Sequence, residues 1–591
     1  MASFLRLALS FLPLIAATPA PQLGGLLPGP QKTLDYGTFK GNQAFAGVDS
    51  YLGMPFAISG RFQNPRVIGS QDKLTGVQDA TKYGLACPQQ QLVASPLYSE
   101  NAEIGGLLAA VEQIAFAPVG NQNQGEDCLT INVQIPSGVN STKGLPVMMW
   151  IFGGGFELGS SASLGSEATA IQGLIYQGAK IVQRSVEMGQ PIVFVSANYR
   201  VNAFGTLASQ EMTDGGVSNL ALKDQRVAMQ WVQKYISNFG GDKTRVTLFG
   251  ESAGSMSIAT HMLLNDGNNE GLFSGAIMAS GAIIKVKDYH QEQVTFDFIA
   301  SQAGCGTSSN KLACLRTADY NKIYNAVQKI PNFFGYTSTK VPWYPRPDGK
   351  YLKDSPHRLL RSGKIAQIPF MVGDMKDEGT LFSVAPQLNI TNDADFQSFW
   401  KDIFFQTLSP AQIKAFTDQY SQDPAQGSPY DTGALNAIGP QYKRLASAVG
   451  DYTFEAGRRD LLEHAYGKMK MWTYQQVQSI PILGQLPALT SLTGLPILGS
   501  FHVSDVVLNS FGTVPPAISK NTRNIMSTYI SFVNTHDPNN HGLSDLPNWP
   551  QWDPTNKAMF RYKEDGPDII KDNYREKQMR FINDNADTYV Y

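Results

Sequence analysis

A serine between two glycines stands where a predicted strand meets a predicted helix. The apolar run Val246–Phe249 stops at Gly250, and Ser252 and Gly254 precede a small-residue segment that can begin a helix. Glycines on both sides let strand and helix approach closely, so that the serine is pushed clear of the sheet. A serine at a helix start is usually only a cap. With a base and an acid in reach, it could instead attack an acyl carbon.

The base that such a serine needs is sought among the seven histidines of the chain. In this arrangement the serine comes first along the chain, then the acid and then the histidine. The histidines that lie far enough downstream are His464, His502, His536 and His541. His464 lies in a charged helical stretch, and the last two lie in a polar turn, which favours solvated roles. His502 follows an apolar approach broken by Pro and Gly, and it is the predicted base.

The acid should follow a strand between the serine and the histidine. The run IPFMVG, Ile368–Gly373, is such a strand, and Asp374, Asp377 and Glu378 come directly after it. The residue pattern alone does not choose among these three carboxyl groups.

Three consecutive glycines, Gly153, Gly154 and Gly155, follow an apolar run that reads as a strand. Without side chains, their N–H groups can approach a developing oxyanion, which needs two or more aimed donors. The N–H of Ala253, directly after the serine, would add another donor. We therefore expect an oxyanion-binding loop here.

The elements that must position these residues alternate along the chain. The predicted strands are Pro146–Phe152, Pro191–Tyr199, Val246–Phe249, Gly275–Ser280, Ile368–Gly373 and Met469–Gln475. Several are continuous apolar runs, as expected of strands that are covered on both faces. Helical patterns such as Leu220–Ile236 lie between them. This alternation predicts an α/β fold with a mostly parallel sheet and helices on both sides.

Composition and charge exclude some classes of partner. The chain has 591 residues, of which 42% are hydrophobic and 16% charged, and its formal net charge is −2. That is typical of a globular protein with a large core, and nothing in it favours nucleic acid or an anionic membrane surface as a partner. No repeat or linker is evident, so one domain is expected over 18–591.

The N-terminus reads as a secretory signal. Arg6 is the only charge before the apolar run Leu7–Ala17, and small residues follow. This run is too short to cross a bilayer and has the make-up of a cleaved signal. We expect a signal peptide over 1–17, with cleavage between Ala16 and Ala20, and no membrane span elsewhere.

Cysteine and asparagine patterns agree with export. Four cysteines, Cys87, Cys128, Cys305 and Cys314, allow three pairings. The last two are close in sequence and could close a short loop, which would leave the first two around a longer one. Two N-x-S/T sequons, at Asn140 and Asn389, would be open to glycosylation in a secreted chain.

Together these motifs resemble the type-B carboxylesterase/lipase family, and within it the secreted fungal lipases and sterol esterases. The matching stretches are EDCLTINV (Glu126–Val133), PVMMWIFGGGFELGS (Pro146–Ser160), NYRVNAFG (Asn198–Gly205), Asn219–Ser257, DEGT (Asp377–Thr380) and GSFHVSD (Gly499–Asp505). They are spread over most of the chain, and the longest is highly specific.

The resemblance implies an α/β-hydrolase fold with a disulfide-bounded lid loop. It implies a catalytic triad of Ser252, Glu378 and His502, and so selects Glu378 from the three carboxyl groups. The other implied roles are oxyanion donors at Gly154, Gly155 and Ala253, and disulfides Cys87–Cys128 and Cys305–Cys314. No metal or cofactor is required by this chemistry.

Three classes of function are weighed. The favoured one is a secreted serine hydrolase that cleaves esters of long-chain fatty acids, of the triacylglycerol lipase or sterol esterase type. A hydrolase of smaller soluble esters is the alternative, but no tryptophan lies between Cys87 and Cys128 to supply a cholinesterase-like cation–π platform. A non-catalytic adhesion or carrier protein is disfavoured by the intact triad and oxyanion loop.

Two features favour a lipid substrate. An amphipathic helix is predicted inside the first disulfide loop, with an apolar stripe of Ile104, Leu107, Leu108, Val111 and Ile114. We expect it to act as a lid that contacts a lipid–water interface. The apolar run Ser479–Phe501 leads to His502, and the side chains of Met256, Leu381 and Phe382 are the candidates for an acyl channel. The sequence gives no indication of oligomeric state.

Overall fold

The computed structural model describes residues 29–92, 123–139, 142–162, 176, 178–479 and 496–591. Several sequence predictions fall outside these ranges: the signal peptide, the five-residue stripe, the sequon asparagine Asn140 and most of the run 479–501. They remain predictions, as does the extent of the domain. Within the described ranges, no helix is both long and apolar enough to span a membrane.

A large mixed sheet forms the centre of the described structure. Its eleven strands, in chain order, are β1 (Asn42–Phe45), β2 (Val48–Pro55), β3 (Thr130–Pro136), β4 (Leu145–Ile151), β5 (Val193–Ala197), β6 (Gly241–Glu251), β7 (Gly275–Ala279), β8 (Phe370–Met375), β9 (Met471–Gln476), β10 (Ala558–Tyr562) and β11 (Asp568–Lys571). Their spatial order is β11-β10-β9-β8-β7-β6-β4-β5-β3-β2-β1. Strands β4 to β10 are mutually parallel, while β1 to β3 and β11 add antiparallel edges. The predicted mostly parallel sheet is thus confirmed.

Two small sheets lie beside the central one. Gln31–Leu34, Gly37–Lys40 and Val77–Asp79 form the first, and Ala57–Ile58 pairs with Arg66–Val67 in the second.

Helices connect the parallel strands and cover them. Their bounds are α1 (Gly178–Glu187), α2 (Asn202–Thr206), α3 (Gln210–Asp214), α4 (Leu220–Tyr235), α5 (Ala253–Leu263), α6 (Gln293–Gln302), α7 (Lys311–Thr317), α8 (Tyr320–Val327), α9 (Pro356–Arg361), α10 (Thr380–Ser383), α11 (Asp393–Phe399), α12 (Pro410–Thr417), α13 (Tyr442–Gly450), α14 (Ala456–Ala465), α15 (Lys520–Thr535) and α16 (Glu576–Asp584). Every residue of β4, β5, β7, β8 and β9 is buried, as expected of strands that are covered on both faces.

Both predicted disulfide pairs are present. Cys87 is bonded to Cys128 and Cys305 to Cys314, with 41 and 9 residues of sequence separation. No cysteine of the described chain is free.

Candidate active site

Ser252 occupies a tight turn between β6 and α5. Its backbone has φ 55° and ψ −125°, a conformation that is costly for a residue with a side chain. The surrounding packing holds it, since the N–H of Ser252 donates to the carbonyl of Ala279 at 2.9 Å. Gly254 cannot be replaced here, because a Cβ atom would lie 2.0 Å from the carbonyl oxygen of Ile151. The close approach of helix to sheet that the glycine spacing predicts is therefore present.

The three residues of the expected triad are far apart in sequence but close in space, with His502 in hydrogen-bonding distance of both Ser252 and Glu378. His502 Nε2 lies 2.8 Å from Ser252 Oγ, and His502 Nδ1 lies 2.6 Å from Glu378 Oε2. The second carboxyl oxygen of Glu378 accepts the N–H of Met375 at 2.7 Å. All three side chains are buried, and Ser252 is the most exposed of them at 8%. This is the geometry of a nucleophile, a base and an acid that orients the base.

The competing acidic residues have other partners. Asp374 Oδ2 accepts from Nε of Arg458 at 2.7 Å, inside a buried ion network. The carboxylate of Asp377 caps the backbone N–H groups of Tyr430 and Ser500 at 2.8 and 3.0 Å. Neither carboxylate is hydrogen-bonded to a histidine in the described structure.

The remaining candidate histidines lie away from the serine. Nδ1 of His464 lies 3.1 Å from a carboxylate oxygen of Asp460 on α14. His536 follows the last turn of α15, and Nδ1 of His541 accepts the N–H of Leu543. Of the four downstream histidines, the structure brings His502 to the serine.

The ring of His502 packs against two aromatic rings that also contact each other. Its centroid lies 4.4 Å from that of Phe454 and 5.1 Å from that of Phe382. Burial lowers the pKa of His502 to about 3, so the imidazole is neutral near pH 7 and Nε2 can accept a proton. Burial also raises the pKa of the Glu378 carboxyl group, which disfavours its negative charge while His502 is neutral. A cationic His502 at 2.6 Å would stabilise that charge.

A second carboxyl group, which the sequence analysis does not single out, lies beside the base. Oε1 of Glu251 is 3.3 Å from Nε2 of His502 and has no hydrogen-bond partner among the described residues. Burial raises the pKa of Glu251 well above its usual range, which favours its neutral form. In the sequence, the feature that could have indicated a role for Glu251 is its position directly before Ser252.

The glycine-rich loop lies against the serine. Gly154 has φ 115° and Gly155 has φ 63°, and both line the cavity at Ser252 together with Ala253. A Cβ atom on Gly154 would lie 2.4 Å from the carbonyl oxygen of Leu158, so the chain requires glycine there. Ala253 begins α5, where the first N–H groups have no acceptor within the helix. The three residues that are expected to supply oxyanion donors all line the cavity, and their donor role stays a prediction.

The space in this cavity that water-sized molecules can occupy is about 40 Å³, and its lining is mostly apolar. Besides Ser252, His502 and the glycine loop, its lining includes Leu158, Tyr176, Glu251, Met256, Phe333, Thr339, Val341, Tyr344, Phe382, Phe454 and Val503. Met256 and Phe382 line it, as expected. Leu381 does not: it is buried beside Phe382 on α10, where consecutive side chains point about 100° apart.

The described residues contain no group of three His, Cys, Asp or Glu side chains arranged to hold a metal ion. The residues around Ser252 have the groups and distances that acid–base and nucleophilic chemistry require.

Comparisons with known proteins agree with the fold and with the geometry of this site. A model of the carboxylesterase family matches residues 29–582. The chain is 38% identical over 542 residues to Lipase 4 of Diutina rugosa, covering 89% of this chain and 91% of that one. It is 35% identical to the secreted triacylglycerol lipase LIP1 of Gibberella zeae, covering 92% and 88% of the two chains. The crystal structure of EstA from Aspergillus niger superposes with a TM-score of 0.75 at 26% identity, covering 95% of this chain and 99% of that one. By sequence and by structure, the chain belongs to the carboxylesterase family.

Proposed function

We propose that the protein is a secreted lipase that hydrolyses carboxylic esters of long-chain fatty acids through an acyl-enzyme on Ser252. The observation that supports this most is the hydrogen-bonded series Ser252–His502–Glu378, which opens into a largely apolar cavity. The names of the relatives, among them a secreted triacylglycerol lipase, support a lipid ester as substrate.

The first half of the reaction forms the acyl-enzyme. Nε2 of His502 takes the proton of Ser252 Oγ as this oxygen attacks the ester carbonyl carbon. The oxyanion of the tetrahedral intermediate accepts hydrogen bonds from the N–H groups of Gly154, Gly155 and Ala253. The C–O bond to the alcohol then breaks, and the alcohol leaves with the proton from His502.

The second half releases the acid. Water gives a proton to His502 and attacks the acyl carbon, and the same N–H groups hold the second oxyanion. The bond to Ser252 Oγ breaks, the serine regains its proton, and the fatty acid leaves. Throughout, the carboxyl group of Glu378 holds the imidazole ring in place and stabilises its cationic form.

Substitutions of the triad test this assignment. Ser252→Ala should lower kcat by about 10³-fold or more, because the nucleophile is lost while the fold remains. Glu378→Gln should also reduce kcat strongly, because an amide cannot compensate the charge of the imidazolium ion. The matched controls are Asp374→Asn and Asp377→Asn, which should retain most of kcat. Full activity of Ser252→Ala, or a greater loss in Asp374→Asn than in Glu378→Gln, would contradict the assignment.

A substrate panel tests the proposed ester class. Short p-nitrophenyl esters, long-chain triacylglycerols and cholesteryl esters should be compared with the wild-type enzyme and Ser252→Ala. The apolar cavity predicts the highest kcat/KM for long acyl chains. A preference for short soluble esters would instead identify a general carboxylesterase.

We also propose that the loop between Cys87 and Cys128 contacts the lipid–water interface. The basis is the sequence stripe described above, which lies outside the described residues. Exposing five aliphatic side chains to water costs several kcal/mol, at about 25 cal/mol per Å² of apolar area, and this cost falls at an oil surface. A state that exposes the stripe would therefore gain population on emulsified substrate.

The test is the double substitution Leu107→Glu with Val111→Glu. Activity on emulsified long-chain esters should fall, whereas activity on soluble short esters should change much less. Rates are measured against substrate concentration across the solubility limit. Superimposable curves for wild type and variant, smooth through that limit, would rule out the interfacial role.

A further inference from the structure

A buried glutamine is paired with the loop that carries the oxyanion glycines. The amide oxygen of Gln89 accepts the N–H of Gly159 at 2.6 Å, and its amide nitrogen donates to the carbonyl of Gly159 at 3.1 Å. The same nitrogen donates to the carbonyl of Cys87 at 2.5 Å. Gln89 is 1% exposed. The side chain thus satisfies both backbone groups of one loop residue.

The oxyanion glycines belong to the segment 152–159 that follows strand β4, and Gly159 is its last residue. Strand β4 holds the beginning of this segment at Ile151, before the glycines. Within the segment, the carbonyl of Gly154 accepts the N–H groups of Glu157 and Leu158 at 2.9 and 3.2 Å. Gly154 and Gly159 both line the cavity at Ser252. The loop is therefore held by the sheet at one end and by Gln89 at Gly159, and between them the carbonyls of Phe156 and Glu157 accept the backbone N–H and the side-chain amide of Asn202 at 2.6 and 3.0 Å.

Gln89 is itself held on several sides. Cys87, two residues earlier, is bonded to Cys128. The backbone N–H of Gln89 donates to the side chain of Gln124 at 2.7 Å, and its carbonyl accepts from the side chain of Gln328 at 3.1 Å. A side chain with so little freedom can define the position of the loop that it binds.

We propose that Gln89 is a positioning residue of the reaction, which sets the oxyanion loop through Gly159. This inference rests on the proposed function, because it assumes that Gly154 and Gly155 donate to the oxyanion. Preorganised donors contribute most when they are already aimed at the site of developing charge. A shift of about 1 Å in such a group can cost 10²-fold in rate.

The neighbouring glutamine supplies a matched control. Gln90 is 2% exposed and lies in the same short segment. Its amide donates to the carbonyl of Ile330 at 2.6 Å and accepts from the indole N–H of Trp343 at 2.7 Å, so it does not bind the oxyanion loop through its side chain. Removing either amide deletes buried hydrogen bonds, but only the removal at Gln89 releases Gly159.

The experiment compares Gln89→Met with Gln90→Met on a soluble p-nitrophenyl ester, with active sites titrated so that only folded enzyme is counted. Gln89→Met should lower kcat by about 10- to 100-fold and change KM by less than about twofold, because the donors act on the oxyanion and not on the bound ester. The affinity for a trifluoromethyl ketone, whose adduct with serine places an oxyanion in this site, should fall by a similar factor. Gln90→Met should retain both.

A second variant covers the case in which Gln89→Met does not fold. Gln89→Glu keeps an acceptor for the N–H of Gly159 but lacks the two donors, and it should show a smaller loss of kcat and of ketone affinity. Equal effects of the Gln89 and Gln90 variants, or a change confined to KM, would overturn the positioning role. Absence of Ser252-dependent ester hydrolysis in the wild type would overturn the proposed function, and this inference with it.

Discussion

The catalytic imidazole of the proposed mechanism is buried among aromatic rings and carboxyl groups. Phe382 and Phe454 pack on its ring, while Glu378 and Glu251 lie against its two nitrogen atoms. Desolvation disfavours the imidazolium ion in the resting enzyme. The contact with Glu378 becomes strongest when that ion forms, which is the moment at which stabilisation accelerates the reaction.

A prediction about pH follows for this residue. The reaction requires a neutral imidazole at His502, so kcat/KM should fall on the acid side as His502 becomes protonated. Because burial lowers the pKa of this group, the midpoint of that fall should lie below 6.5, the ordinary value for histidine. The measurement is kcat/KM of a soluble ester from pH 4 to pH 8, with the folded state monitored at each pH. A midpoint at or above 6.5 in folded enzyme would contradict this account.

Residue types and spacing predict part of the candidate site. Chain order and an apolar approach predict His502 as the base, and the three glycines predict an oxyanion loop, whose donor role stays a prediction. The choice of Glu378 came from family resemblance, since three carboxyl groups within five residues follow the same strand. Their roles separate only in space, where Arg458 and backbone N–H groups occupy the other two. The polar contacts of Gln89 likewise depend on tertiary structure.

At the scale of elements, prediction succeeded best for the central strands and the long helix. Strands β4 to β9 and helix α4 were found where apolar runs and helical periodicity indicate them. Strand β6 begins at Gly241, earlier than predicted. Its residues 242–245 are polar and partly exposed, so no apolar run indicates this first part of the strand. Strand β11 was missed for a related reason, because it contains no buried residue and has no long apolar run to indicate it.

The two disulfides join elements at very different separations, and their removal should therefore have unequal effects. In the chain-entropy treatment, the 41-residue separation of Cys87–Cys128 corresponds to about 4 kcal/mol and the 9-residue separation of Cys305–Cys314 to about 2.6 kcal/mol. Replacing the first pair by alanine should thus lower the midpoint of urea unfolding more than replacing the second. The reverse order would show that native contacts, rather than the length of the closed loop, decide the contribution.

At the scale of the whole molecule, the parallel sheet explains why distant residues meet. Ser252 and Glu378 follow the carboxyl ends of β6 and β8, which lie on either side of β7. His502 lies beside the chain after β8, where Asp377 and Phe501 form an isolated bridge. The carboxyl ends of parallel strands share one edge, so His502 contacts Ser252 and Glu378 at less than 3 Å although 250 and 124 residues of chain separate them.

The whole molecule also offers a test of the proposed secretion. Asn389 is exposed, and it is followed by Ile390 and Thr391 in a sequon that an oligosaccharide transferase can read. Protein produced through a eukaryotic secretory pathway should therefore carry an N-linked glycan at Asn389, seen as a mass that an N-glycosidase removes. Asn389→Gln should abolish this site in glycopeptide mapping, whereas Asn321→Gln, at an exposed asparagine outside any sequon, should leave it unchanged. An unmodified Asn389 in secreted material would contradict the prediction, and failure of the full-length chain to leave the cell would contradict the secretory signal itself.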